Sequence, residues 1–169
     1  MKKPIARFCP ENIMVDSKTL QSQLLHVCNL YSVVQRNDTS WDKHRWHAPE
    51  IWLRNSVTTS SDIYTFGLII LFMITERIPY ETFNQNVANR IAGGWRPAIP
   101  PACPDEISEL IKACWTMRSQ ERIKIDDIVD TLEVLTSYDF PDFLSTRSGN
   151  VDSNDKRCVL FASSSYSGD

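Results

Sequence analysis

Among the side chains able to ligate a metal or attack an electrophile are three histidines, at 26, 44 and 47, and five cysteines, at 9, 28, 103, 114 and 158. Neither set is spaced for a metal: no Cys-x-x-Cys pair occurs, and the histidines are scattered. An odd number of irregularly placed thiols points to reduced intracellular cysteines rather than a disulfide frame. Phosphate chemistry usually requires a glycine-rich loop whose backbone N–H groups cradle the anion, yet no glycine precedes Gly67. What remains are polar groups in short runs: Pro10-Glu11-Asn12 with Asp16, Arg45-Trp46-His47-Ala48-Pro49-Glu50, and Arg122. Thr39 and Ser40 are hydroxyls open to phosphorylation. Asn37-Asp38-Thr39-Ser40 reads more simply as an exposed turn, because these side chains bond their own backbone.

The element that must position such groups is the run from Ile63 to Ile74, interrupted only by Tyr64, Thr65 and Gly67. It is too short for a bilayer, which needs ~20 apolar residues. A helix apolar on nearly every side belongs at the centre of a core. Ser60, Ser61 and Asp62 stand at its start, where short oxygen-bearing side chains accept from orphan N–H groups and a carboxylate suits the positive end of the dipole. The segment 76–80 is expected to stop it, with Pro79 unable to continue the ladder. Residues 84–92 predict a short helix halted at Gly93-Gly94, and Pro97, Pro100, Pro101 and Pro104 mark an extended connector. Ile107, Leu110, Ile111, Cys114 and Trp115 recur at i, i+3, i+4, i+7 and i+8, one face of a helix. Pro104 is expected at its first position. Ile125, Ile128, Val129, Leu132 and Leu135 predict a last helix, with Asp126 and Asp127 at its start. Both stripes are expected to be core.

At 169 residues the chain can bury one sizeable core. A net charge of −3 argues against a nucleic-acid partner. The two N-terminal lysines precede no long apolar region, so no secretory signal is expected; the reading is cytoplasmic, with no membrane contact. From Ser145 the composition turns to Ser, Asn, Asp and Gly, and residues 145–169 are expected to form a disordered Ser-rich tail. Within it Val159-Leu160-Phe161 is an apolar triplet able to dock on the domain or on a partner.

Arg45-Trp46-x-Ala48-Pro49-Glu50, Ser61-Asp62-Ile63-Tyr64-Thr65-Phe66-Gly67 and Ile78-Pro79-Tyr80-Glu81, followed by Arg96-Pro97, Cys114-Trp115 and Arg122, resemble the C-terminal half of a protein kinase domain. The resemblance is nearest the tyrosine-kinase and tyrosine-kinase-like branches. It implies a mainly helical fold, the kinase C-terminal lobe over residues 1–144, with the N-terminal lobe absent. It further implies that Glu50 and Arg122 form a buried ion pair, and it places Asp62 and Trp115 among the structural positions.

The same resemblance reaches the catalytic loop and finds it altered. Pro10, Glu11, Asn12, Ile13, Val15 and Asp16 match the right half of His-Arg-Asp-Leu-Lys-Pro-Glu-Asn-Ile-Leu-Val-Asp. Ile5, Ala6 and Arg7 fall on His-Arg-Asp, and Cys9 on the lysine. In the family that aspartate accepts the substrate hydroxyl's proton; a guanidinium, always protonated, cannot. No Asp-Phe-Gly occurs, and Asn29-Leu30-Tyr31 takes its place. Asn12 matches one Mg²⁺ ligand position and Asn29 replaces the other, and two amides make a poor site for that ion. Asn12 is read as bonding its own loop. The implied function is a pseudokinase-like module without cofactor, acting through an unidentified protein partner, with the groove beside residues 84–92 and Trp95 as its surface. Two alternatives stand beside it: a fragment of an active kinase using ATP and Mg²⁺, and a degenerate product without a stable fold.

Overall fold

In the computed structural model, residues 4–5, 8–16, 18–19, 21–24, 45–54, 56–81 and 87–137 are described. A 3₁₀ turn at Pro10–Asn12 leads into strand β1 (Ile13–Val15), which pairs antiparallel with β2 (Ser22–Leu24) in the register Ile13↔Leu24, Met14↔Gln23, Val15↔Ser22. Among the described residues five α-helices follow, α1 (Pro49–Arg54), α2 (Thr59–Thr75), α3 (Val87–Ala92), α4 (Asp105–Cys114) and α5 (Ile125–Ser137), with a 3₁₀ turn at Ser119–Glu121 between the last two. Mainly α, with one small hairpin, is the fold class that the sequence predicts.

Helix α2 is the centre. Ile63, Tyr64, Thr65, Gly67 through Phe72 and Ile74 are all buried, while Met73 is exposed. Such a helix has little solvent face to satisfy, so neighbours cover it on nearly every side. Helix α4 makes the closest approach: a Cβ built on Gly67 would lie 2.7 Å from Cys114 Cβ and 3.4 Å from the Ile111 carbonyl. Only a glycine lets the two backbones come this near. Trp46 meets Phe72 edge-on at 5.7 Å, and Ala48 and Pro49 are buried in the stretch that leads into α1.

Several boundaries differ from the sequence expectation. The N-cap of α2 is Thr58, not Ser60, Ser61 or Asp62: its side chain accepts from the Ser61 N–H at 3.3 Å, and the Thr58 N–H donates to Ser61 Oγ at 3.2 Å. This is a reciprocal capping box with serine where glutamate is usual. The C-terminus, in contrast, falls where expected, at the start of the 76–80 segment. Glu76 takes a left-handed conformation (φ 54°), and its N–H donates to the Phe72 carbonyl. Pro104 is the residue before α4, not its first residue, because its ψ of 141° is not helical. The Gly93-Gly94 stop does end α3, with Gly94 at φ 87°. Residues 84–86 of the expected helix lie outside the described residues, as does the tail from 145.

The stripe on α5 is only half core. Ile128 and Leu135 are buried, whereas Ile125 and Val129 are 43% and 45% exposed.

Candidate functional site

Two constellations gather the residues that the sequence singles out. The first is the loop ahead of β1. The Ile5 N–H donates to Asp62 Oδ2 at 2.7 Å, so the first turn of α2 holds the loop by a charge-assisted bond to its backbone. Phe8 stacks on Phe66 one turn further along, with ring centroids 6.3 Å apart and planes within 6°. Asp62 and Phe66 are four residues apart on one face of α2 and form a two-point anchor. Asp62 is thus an anchor of the loop, the role that its place in the motif left open.

Cys9 closes the 3₁₀ turn from the front, its carbonyl accepting the Asn12 N–H at 3.0 Å. It is partly buried against the core. Asn12 is partly buried and leads directly into β1. Asp16 turns the hairpin: its Oδ1 accepts the N–H groups of Lys18 at 2.9 Å and Thr19 at 2.7 Å, and these bonds hold its pKa below the usual carboxylate range. Arg7 and Asn29 lie outside the described residues. Among those described, no three His, Cys, Asp or Glu side chains are grouped to hold a metal ion.

The second constellation is built around Glu50 and Arg122, 72 residues apart in sequence. Arg122 Nη1 donates to Glu50 Oε1 and Nη2 to Oε2, both at 2.7 Å. The pairing is bidentate, the geometry for which a guanidinium is suited and an ammonium is not. Its Nε donates to the Thr116 carbonyl at 2.9 Å and Nη1 also to the Ser60 carbonyl at 2.6 Å. The Ser61 hydroxyl donates to Glu50 Oε1 at 2.8 Å. The arginine side chain is 1% exposed and the glutamate 14%. Burial pushes the Glu50 carboxyl up, but the two Arg122 bonds and the cation outweigh it, so its pKa lies below the ordinary value. One arginine thereby ties α1, the start of α2 and the segment after α4 together.

Beside this pair lies a network that no motif announced. Arg122 and Arg96 both stand 5.1 Å from the ring centroid of Tyr64, favourable for a desolvated cation near an aromatic face. The Tyr64 and Tyr80 hydroxyls are 2.9 Å apart, and burial raises the pKa of both phenols, keeping them neutral. Arg45 Nη1 donates to the Tyr80 carbonyl, which a left-handed Tyr80 (φ 61°) presents to it. Arg96 Nε donates to the Trp115 carbonyl at 3.0 Å, which assigns Trp115 a backbone role beside its buried ring. Tyr80 also packs on Trp95 at 5.4 Å. Arginines, tyrosines and tryptophans of this kind are spread over residues 45 to 122, and only the fold shows which of them meet.

The arrangement is structural chemistry: anchored backbone, a satisfied buried charge and neutral phenols. The comparisons with known proteins agree with the architecture. The family of protein tyrosine and serine/threonine kinases matches residues 11–132. The chain is 38% identical over 90 residues, 53% of its length, to a probable LIM domain-containing serine/threonine-protein kinase of Dictyostelium discoideum, and covers 14% of that protein. It is 33% identical over 95 residues, 55% of its length, to the dual specificity protein kinase pyk3 of the same organism, covering 7% of it. A probable serine/threonine-protein kinase, also from Dictyostelium discoideum, is 33% identical over 88 residues, 52% of this chain and 15% of that one. The chain therefore spans a small part of these relatives' lengths. With the match extending from the 3₁₀ turn ahead of β1 into α5, this chain belongs to the protein tyrosine and serine/threonine kinase family.

Proposed function

We propose that the chain is a catalytically silent, pseudokinase-like module that works by binding other proteins, derived from the tyrosine-kinase-like branch. The observation that carries this reading is Arg7 at the position of the catalytic aspartate. A permanent cation cannot accept the hydroxyl proton. Cys9 in place of the loop lysine and Asn29 in place of the Asp-Phe-Gly aspartate act in the same direction: one removes a phosphate-facing cation and the other a Mg²⁺ carboxylate. The branch assignment rests on Cys114-Trp115 ahead of the last helix. The binding surface is the face beside α3, where Trp95 is 38% exposed next to Arg96 and an equally exposed Met117. Aromatic, arginine and methionine side chains are the ones enriched at protein interfaces.

The test is nucleotide binding. The melting temperature of the chain is expected not to change on adding millimolar Mg·ATP, since binding at 100 times Kd would stabilise it by about 2.7 kcal/mol. A rise of several degrees would sink the silent-module reading and favour a segment of an active kinase. That alternative also predicts phosphoryl transfer once an N-terminal kinase lobe is supplied.

A further inference from the structure

The connector from α3 to α4 is an extended strip with one ridge turned outward. Pro97, Pro100 and Pro101 each fix φ at about −65° and disfavour a helical conformation in the residue before them. That biases the segment to the polyproline II helix, with about three residues per turn. Exposure along the strip follows this period. Trp95, Ala98 and Pro101 are exposed, while the pairs between them, Arg96 with Pro97 and Ile99 with Pro100, are partly buried. Arg96 and Ile99, three residues apart, hold the inner side. Arg96 donates to the Ile91 carbonyl at 3.2 Å and to the Trp115 carbonyl at 3.0 Å, and Ile99 packs against the core. At about 3.1 Å per residue the outer ridge runs ~19 Å from Trp95 to Pro101.

The backbone of the strip is not used within the domain. Among the described residues no hydrogen bond involves the N–H groups of Ala98 and Ile99 or the carbonyls of Pro97, Ala98 and Ile99. The strip ends in a turn, where the Pro100 carbonyl accepts the Cys103 N–H at 2.9 Å. Extended backbone has two ways to meet a partner. Addition to a sheet edge is disfavoured here, because the three prolines have no N–H to donate. Recognition as a polyproline II helix in an aromatic-lined groove needs no such donors. The strip is already held in that conformation, so docking orders little further chain.

We propose that the strip 95–101 is a docking element of the protein-binding face, and that its partner is a domain that reads polyproline II helices through an aromatic-lined groove. The inference rests on the protein-binding reading above and adds the class of partner. The test titrates the full chain against a panel of purified SH3 and WW domains by biolayer interferometry. The expected result is binding by at least one of them, weakened at least five-fold by Ala98→Glu and by Pro101→Gly and competed by a polyproline peptide. Ala98 is exposed, so Ala98→Glu is expected to melt with the parent. A second readout is hydrogen exchange at the Ala98 and Ile99 amides, expected to be fast in the free chain and several-fold slower in the complex. A panel without a binder, binding indifferent to either substitution or to the competing peptide, or slow exchange at both amides in the free chain would each overturn the proposal. Self-association abolished by Ala98→Glu would overturn it as well and assign the strip to a second copy. The two readings fail separately. No groove binding and no response to Mg·ATP overturns only this choice of partner, whereas groove binding together with a response to Mg·ATP overturns only the silent-module reading.

Discussion

Arg122 carries more of this fold than any other side chain, because its five N–H donors reach Glu50, Ser60 and Thr116 at once. Replacing it by leucine leaves Glu50 as a carboxylate with 14% exposure and no cation. Arg122→Leu is therefore expected to cost about 3–5 kcal/mol in chemical denaturation, the range for breaking a buried pair from one side. Glu50 also makes stability depend on pH. Its folded pKa is depressed below 4.5, so its contribution is fully present above that value and is lost as pH falls through the folded pKa. Glu50→Gln should flatten the stability profile below about pH 4.5 and lower it above. A profile for Glu50→Gln that is as steep in acid as the parent's would show that other carboxylates govern the acid limb. At Tyr64, removal of the hydroxyl by phenylalanine leaves the Tyr80 phenol buried without its partner at 2.9 Å. A loss of about 1–3 kcal/mol is expected. Cys114 is buried against α2, which pushes its thiol up to about 12. It should label with a disulfide reagent only as fast as the domain unfolds.

Helix α2 dominates at the scale of elements, and its two ends are set by residues outside the apolar run. Thr58→Ala removes one half of the capping box with Ser61 and is expected to cost about 1 kcal/mol, read as a shift in denaturation midpoint with unchanged slope. The middle of the helix is limited by space. Gly67→Ala would improve intrinsic helix propensity by about 1 kcal/mol. Its new Cβ, however, would lie 2.7 Å from Cys114 Cβ, against the backbone of α4 and not a flexible tip. Overpacking of this kind costs about 1–3 kcal/mol and should win, so the variant is expected to melt lower than the parent. An equal or higher melting temperature would mean that α4 can move away. On α5 the acidic first turn suits the dipole, while the exposed Ile125 and Val129 contribute little to the core. Polar replacements there should leave the melting of the domain nearly unchanged.

For the whole molecule the governing fact is one helix wrapped by the rest, with no helix among the described residues long and apolar enough to cross a membrane. A single cooperative melt by circular dichroism is the expected behaviour; a broad, non-cooperative one would support the reading of a degenerate product. Much of this was legible from residue order alone. The nearly continuous apolar run from Ile63 to Ile74 points to a central helix, because no polar stripe is left in it. The stripe of α4 likewise follows from spacing, and Arg122 as the counter-ion of Glu50 follows from family motifs, since no local pattern links residues so far apart. Tertiary structure alone decided the rest. Thr58 and not Ser60 caps α2, because the cap is the residue whose backbone is still extended, and short hydroxyl residues fill every position from 58 to 61. The joining of Tyr64, Tyr80, Arg45, Arg96 and Arg122 depends on how the loops after α2 and α3 return, and these residues carry no shared period. Which half of the α5 stripe stays wet was likewise settled by which residues its neighbours cover. Helical spacing states that a face is apolar; only the packing of neighbours states how much of it is covered.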